Sequence, residues 1–129
     1  MAYGGMNTEY KPLKAVLLCP PHPSIDEIEN PEGVLHVRRM NYKLAKQQYM
    51  KTIEMYEKHN VKVCFIDVDQ RKIKDGRFLF NLMFTRDQFF MTPRGAIMSR
   101  MFSPVRRGEV VHARKAIHVC YLPEQRVSL

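Results

Sequence analysis

The sequence predicts an α/β fold, and three observations carry that prediction. The continuous apolar run Leu13–Cys19 reads as a strand covered on both faces. A helical stretch opens near Asn41 and reaches about His59, with apolar residues at three- and four-residue steps. A second strand-like run, Val61–Val68, follows it. Strand, helix, strand with a helix of roughly 20 residues argues for a parallel crossover.

Each element has a local reason. Residues 1–12 read as a flexible lead-in, with Gly4-Gly5 and no periodicity, ahead of a single domain over 13–129. Pro20 and Pro21 end the first strand, because neither can donate to a ladder. His22–Arg39 is a long loop broken by Pro23, Pro31 and Gly33. Asn41 can cap the helix, whose expected buried face is Leu44, Ala45, Gln48, Tyr49, Ile53 and Tyr56. Asn60 suits the left-handed position that ends it. Asp69–Phe78 is a charged loop turning at Asp75-Gly76. Leu82–Met91 and Ala96–Phe102 are expected to pair as a hairpin about the turn Thr92-Pro93-Arg94-Gly95. Phe84, Phe89, Phe90, Met98 and Met101 are expected in the core. Pro104 precedes a helix over about Val105–His118, and Pro123 interrupts any strand in the tail.

Composition bounds the function. The net charge of +8, from 21 Lys and Arg against 13 Asp and Glu, favours anionic partners. No apolar run reaches about 18 residues, so no transmembrane helix and no membrane partner are expected. The first residues lack a charged segment followed by an apolar one, so no signal peptide is expected. Three cysteines with no CxxC suit a reducing cytoplasmic setting without a disulfide framework. His22, His36, His59, His112 and His118 show no metal-ligand spacing with the cysteines or carboxylates, so no metal and no cofactor are expected.

The densest chemistry lies in Asn81–Glu109. Asn81-x-x-Phe84-Thr85-Arg86-Asp87 puts an amide, a guanidinium and a carboxylate on the first strand of the expected hairpin. Pro104-x-Arg106-Arg107-x-Glu109 puts two guanidiniums and a second carboxylate at the expected helix start. Such a mixture suits a ligand carrying both charges, such as an amino acid with a cationic side chain.

These two blocks, at this separation, resemble the guanidino-group-modifying enzymes: arginine deiminases, dimethylarginine dimethylaminohydrolases and amidinotransferases. The resemblance extends over roughly Leu13 to Ile117 and is strongest to the arginine deiminases. It implies a pentein-like α/β propeller of repeated ββαβ units. The 129 residues suffice for about two such units, so a partial propeller, truncated to its N-terminal part, is expected. It also implies roles. Asp87 resembles the carboxylate that grips the substrate guanidinium through parallel charge-assisted bonds. Asn81 and Arg106 resemble the residues that hold the substrate α-carboxylate. Arg86 and Glu109 are motif members expected to be structural, as an ion pair orienting the hairpin against the helix start.

The departure from the family matters as much. Its chemistry uses a cysteine thiolate that attacks the guanidinium carbon and a histidine as general acid and base. Nothing here matches its Gly-Gly-Asp segment, its histidine block or its cysteine. Cys19 stands at a strand end, Cys64 reads as core, and Cys120 comes too early in the fold, so no catalytic residue is assigned. The expected function is therefore the substrate-binding portion of a deiminase- or amidinotransferase-like enzyme, without turnover by the chain alone. Its partners are an arginine-like guanidino substrate and, across open sheet edges, a complementary chain or a second copy. The alternatives are a non-catalytic arginine-like binder and a basic nucleic-acid-binding domain. The arginines of the second half are scattered over strands, turn and helix and match no nucleic-acid motif, so a solvated surface is preferred there.

Overall fold

The structure is a computed structural model, and it describes Met6, Thr8 and residues 10–67 and 79–120. The expected charged loop and the tail after Cys120 lie outside the described residues. The first strand, β1 (Ala15–Leu18), pairs in parallel with β2 (Lys62–Phe65), in the register Ala15 to Lys62 and Leu18 to Phe65. Between them runs α1 (Tyr42–Lys58). The crossover expected from the apolar pattern is therefore present.

Both ends of α1 are set by local chemistry. Asn41 is extended, and its Oδ1 accepts the Leu44 N–H at 2.8 Å, satisfying one orphan donor of the first turn. At the other end Asn60 takes φ 56°, and the Asn60 and Val61 N–H groups return to the Glu57 and Tyr56 carbonyls at 2.9 Å. That is the Schellman arrangement, sealed by buried Val61. The covered face of α1 is narrower than expected. Leu44 and Gln48 are exposed, and the covered line is Tyr42, Ala45, Tyr49, Thr52, Ile53 and Tyr56. A two-stranded sheet is a narrow bed and shelters only one stripe of a helix.

The second sheet is an antiparallel hairpin of β3 (Phe89–Thr92) and β4 (Gly95–Met98), with Thr92 opposite Gly95. Gly95 has φ 138°, a conformation that disfavours any side chain, and the Thr92 hydroxyl donates to its carbonyl at 2.9 Å. The hairpin starts later than expected. Half of the predicted Leu82–Met91 strand lies in two 3-10 turns, Phe80–Met83 and Thr85–Asp87. The Phe84, Asp87 and Gln88 N–H groups bond to carbonyls three residues back, and the Thr85 hydroxyl donates to the Leu17 carbonyl at 2.8 Å. With its N–H groups paired three residues back and Thr85 tied to β1, the stretch forms turns in place of a strand.

The last helix, α2 (Val110–Cys120), begins later than expected, because Pro104–Arg106 forms a separate 3-10 turn. Its buried Ala113 and Ile117 join Leu17, Cys64, Ile66, Leu82 and Ala96 in one core that ties both sheets together. Of the residues assigned to the core, Phe89, Met98 and Met101 are half-buried, but Phe84 and Phe90 are exposed.

Candidate functional site

The two 3-10 turns and the turn before α2 converge on one guanidinium. Arg106 donates from Nη1 to Asp87 Oδ2 at 2.7 Å and from Nε to Glu109 Oε2 at 3.0 Å. Its Nη2 lies 2.9 Å from the same Glu109 oxygen and reaches the Asn81 and Phe84 carbonyls, each at 3.3 Å. These are the carbonyls that the 3-10 turns aim toward the α2 side. One Nη1 donor remains without an acceptor among the described residues. Burial opposes the Arg106 charge, but its bonds to Glu109 and Asp87 prevail and hold its pKa above the ordinary value.

The two carboxylates bound to Arg106 differ in setting. Asp87 is half exposed, while Glu109 is fully buried. Gln88, also fully buried, donates its Nε2 to Glu109 Oε2 at 3.2 Å and to the Leu82 carbonyl at 3.1 Å. Burial pushes the Glu109 carboxyl above the usual range, against the opposing effect of Arg106 and Gln88.

Asn81 sits behind this cluster. Its Nδ2 donates to the Val34 carbonyl at 2.7 Å, and its Oδ1 lies 2.9 Å from His36 Nε2. The amide thereby fastens the long loop of residues 22–39 against the Phe84 turn, where His36 meets the Phe84 ring edge-on. The expected Arg86–Glu109 ion pair does not form. Glu109 pairs with Arg106, which is three residues away on its own turn, and Arg86 is exposed. Asn81, Arg86 and Asp87 also stand on 3-10 turns instead of a strand. Arg107 turns away, bonding the Met101 and Phe102 carbonyls.

A depression of about 270 Å³ lies beyond the carboxyl ends of β1 and β2, with Cys19, His22, Tyr42 and Asp67 in its walls. Burial, helped by the Glu109 charge, pushes the Cys19 thiol up to about 12. The Cys19 sulfur points toward the Pro20 carbonyl at 3.7 Å. Such a thiol is a poor source of thiolate. No group of three or more metal-ligating side chains forms among the described residues.

The backbone that carries these residues has close counterparts among solved structures. The chain folds like a dimethylarginine dimethylaminohydrolase. One such structure, a cysteine-to-serine mutant of the Pseudomonas aeruginosa enzyme complexed with citrulline, aligns with TM-score 0.65 at 20% identity. The alignment covers 90% of this chain and 42% of that one. A dimethylarginine dimethylaminohydrolase adduct with 4-chloro-2-hydroxymethylpyridine gives TM-score 0.63, also at 20% identity, over 90% of this chain and 41% of that one. In sequence, YkgA of Bacillus subtilis (strain 168), an uncharacterized protein, is 33% identical over 114 residues. That match spans 86% of this chain and 37% of YkgA. No family model matches the chain. The chain thus spans about two-fifths of the length of the relatives it matches.

Against this fold, the motif residues Asn81, Asp87, Arg106 and Glu109 come together through direct bonds. Two further members had no role in the sequence reading. Gln88 follows directly on the Phe-Thr-Arg-Asp block, and a polar residue entering the apolar run Phe89–Met91 was its only signal. His36 gave none, because its partner lies 45 residues away.

Proposed function

We propose that the chain is the substrate-binding portion of a guanidino-modifying enzyme with the dimethylaminohydrolase fold. Asp87 is the residue that grips the guanidinium. The observation carrying this reading is a half-exposed carboxylate held by Arg106 through one oxygen, Oδ2, so that Oδ1 remains for a second guanidinium. Fixing one oxygen sets the plane in which a ligand must approach the other.

The ligand carboxylate falls to Arg106, through its remaining Nη1 donor, and to Asn81. For Asn81 this calls on the second Nδ2 donor, the first being held by the Val34 carbonyl. Arg86 and Glu109 stay structural, Glu109 by holding Arg106. The ligand class is arginine-like, in keeping with the citrulline held by the Pseudomonas aeruginosa enzyme. The attacking thiolate and the histidine acid and base of this reaction class come from outside these 129 residues, on further polypeptide or a partner chain. A metal or organic cofactor has no part in the proposal.

Calorimetric titration with arginine tests it. Heat of binding that Asp87→Asn removes is the expected result, and no binding at millimolar arginine would overturn the assignment. Purified chain given arginine is expected to release neither ammonia nor citrulline at an enzymatic rate.

A further inference from the structure

We infer that Glu109 and Gln88 are positioning residues for Asp87, acting through the Arg106 guanidinium. The inference rests on the reading of Asp87 as the ligand grip and says how that grip is aimed.

Asp87 cannot aim itself. It closes a three-residue turn, its side chain is half exposed, and the hydrogen bond made by its carboxylate comes from Arg106. A carboxylate that must meet a planar guanidinium has to be held within a narrow range of position and angle. Arg106 is a long side chain with many rotamers and needs restraint of its own. That restraint comes from four acceptor contacts: Glu109 Oε2 to Nε and to Nη2, and the Asn81 and Phe84 carbonyls. Glu109 in turn is oriented by Gln88, which is anchored to the Leu82 carbonyl. The order of dependence runs from the Leu82 backbone through Gln88, Glu109 and Arg106 to Asp87.

Stability alone does not account for this arrangement. Glu109 Oε1 and Gln88 Oε1 are buried without a hydrogen-bond partner, so every bond to the Glu109 carboxylate converges on Oε2. A buried charge bonded on one oxygen is costly, and well-packed apolar replacements of such pairs are often neutral or stabilising. What an apolar replacement cannot supply is direction. The guanidinium is planar, so fixing Nε and Nη2 on Glu109 fixes where Nη1 points, and Nη1 is the atom that holds Asp87.

The test uses Gln88→Met, Glu109→Gln and Asp87→Asn, with arginine affinity from calorimetry and the exchange rate of the Arg106 Nε proton from NMR. The expected result is that Gln88→Met and Glu109→Gln each weaken arginine binding about tenfold and speed exchange of that proton, while each variant still melts cooperatively. A general structural role would instead lower the melt and leave the affinity of the folded protein unchanged. Affinities within twofold of the parent for Gln88→Met and Glu109→Gln, alongside loss with Asp87→Asn, overturn the positioning role and keep the grip. Arginine binding unaffected by Asp87→Asn overturns both. If Glu109→Gln fails to fold, Gln88→Met, which removes no charge, decides the matter.

Discussion

Glu109 is a carboxyl with two opposed claims on it. Arg106 and Gln88 favour its charge, burial opposes that charge more strongly, and its pKa rises above 4.5. A folded state whose carboxyl has a raised pKa binds more protons than the unfolded state across the interval between the two values. The stability from this group is therefore fully present below about 4.5 and is lost as pH rises through the folded value. Melting midpoints for the parent and Glu109→Gln, taken between about pH 4 and pH 7, should show the parent losing ground to the variant as pH rises. A difference that stays flat or changes in the other direction contradicts the raised pKa. Cys19 gives a second prediction at this scale. With its thiol at about 12 and its side chain buried, alkylation near neutral pH should label Cys19 only after unfolding. Rapid labelling of the native protein would show a thiol far more accessible than this geometry allows.

At the scale of elements, a long-range side-chain tie near the site joins the loop of residues 22–39 to the Phe80–Met83 turn through Asn81. Truncating it strands the Val34 carbonyl and a His36 ring whose Nδ1 already lacks a partner. Asn81→Ala should therefore cost about 1–3 kcal/mol, as leaving buried polar groups unpaired does, measured by denaturant unfolding. A loss below about 0.5 kcal/mol would mean that the loop is held elsewhere. This tie also shows what the sequence could and could not reveal. The cap at Asn41, the left-handed Asn60 and the turn at Gly95 were legible, because each satisfies its own neighbours within a few residues. The parallel crossover was legible from spacing and apolar pattern. The 3-10 turns at Phe80–Met83 and Thr85–Asp87 were not, since what holds them is remote: the Leu17 carbonyl under Thr85, and Arg106 under the carbonyls of Asn81 and Phe84. The same remoteness explains the misplaced ion pair. Spacing alone could not tell that Arg106, three residues from Glu109, would bend back to it and leave Arg86 at the surface.

For the whole molecule, the decisive feature is how little, among the described residues, covers the outer face of the second sheet. The described strands form two sheets of two strands each, so every strand has an edge unpaired by another described strand. On β3 and β4, Phe90 and Ile97 stand directly opposite one another and are 59% and 54% exposed. A cross-strand pair of this kind normally packs against something, and each Å² of apolar surface withdrawn from water is worth about 25 cal/mol. In the aligned Pseudomonas aeruginosa enzyme the matching part is 42% of the chain, so that enzyme carries further polypeptide beyond it. These 129 residues on their own are expected to offer this face to a second copy, with open edges adding backbone pairing to the apolar contact. Sedimentation should therefore show mass rising with concentration, and Ile97→Lys, which places a charge at the centre of the face, should shift the protein toward monomer without lowering its melt. Binding of arginine should persist in that variant, because Asp87 and Arg106 are joined through the turns and make none of their bonds with β4. A parent protein that sediments as a monomer at every concentration, with a sharp melt, would mean that the exposed pair is tolerated in water.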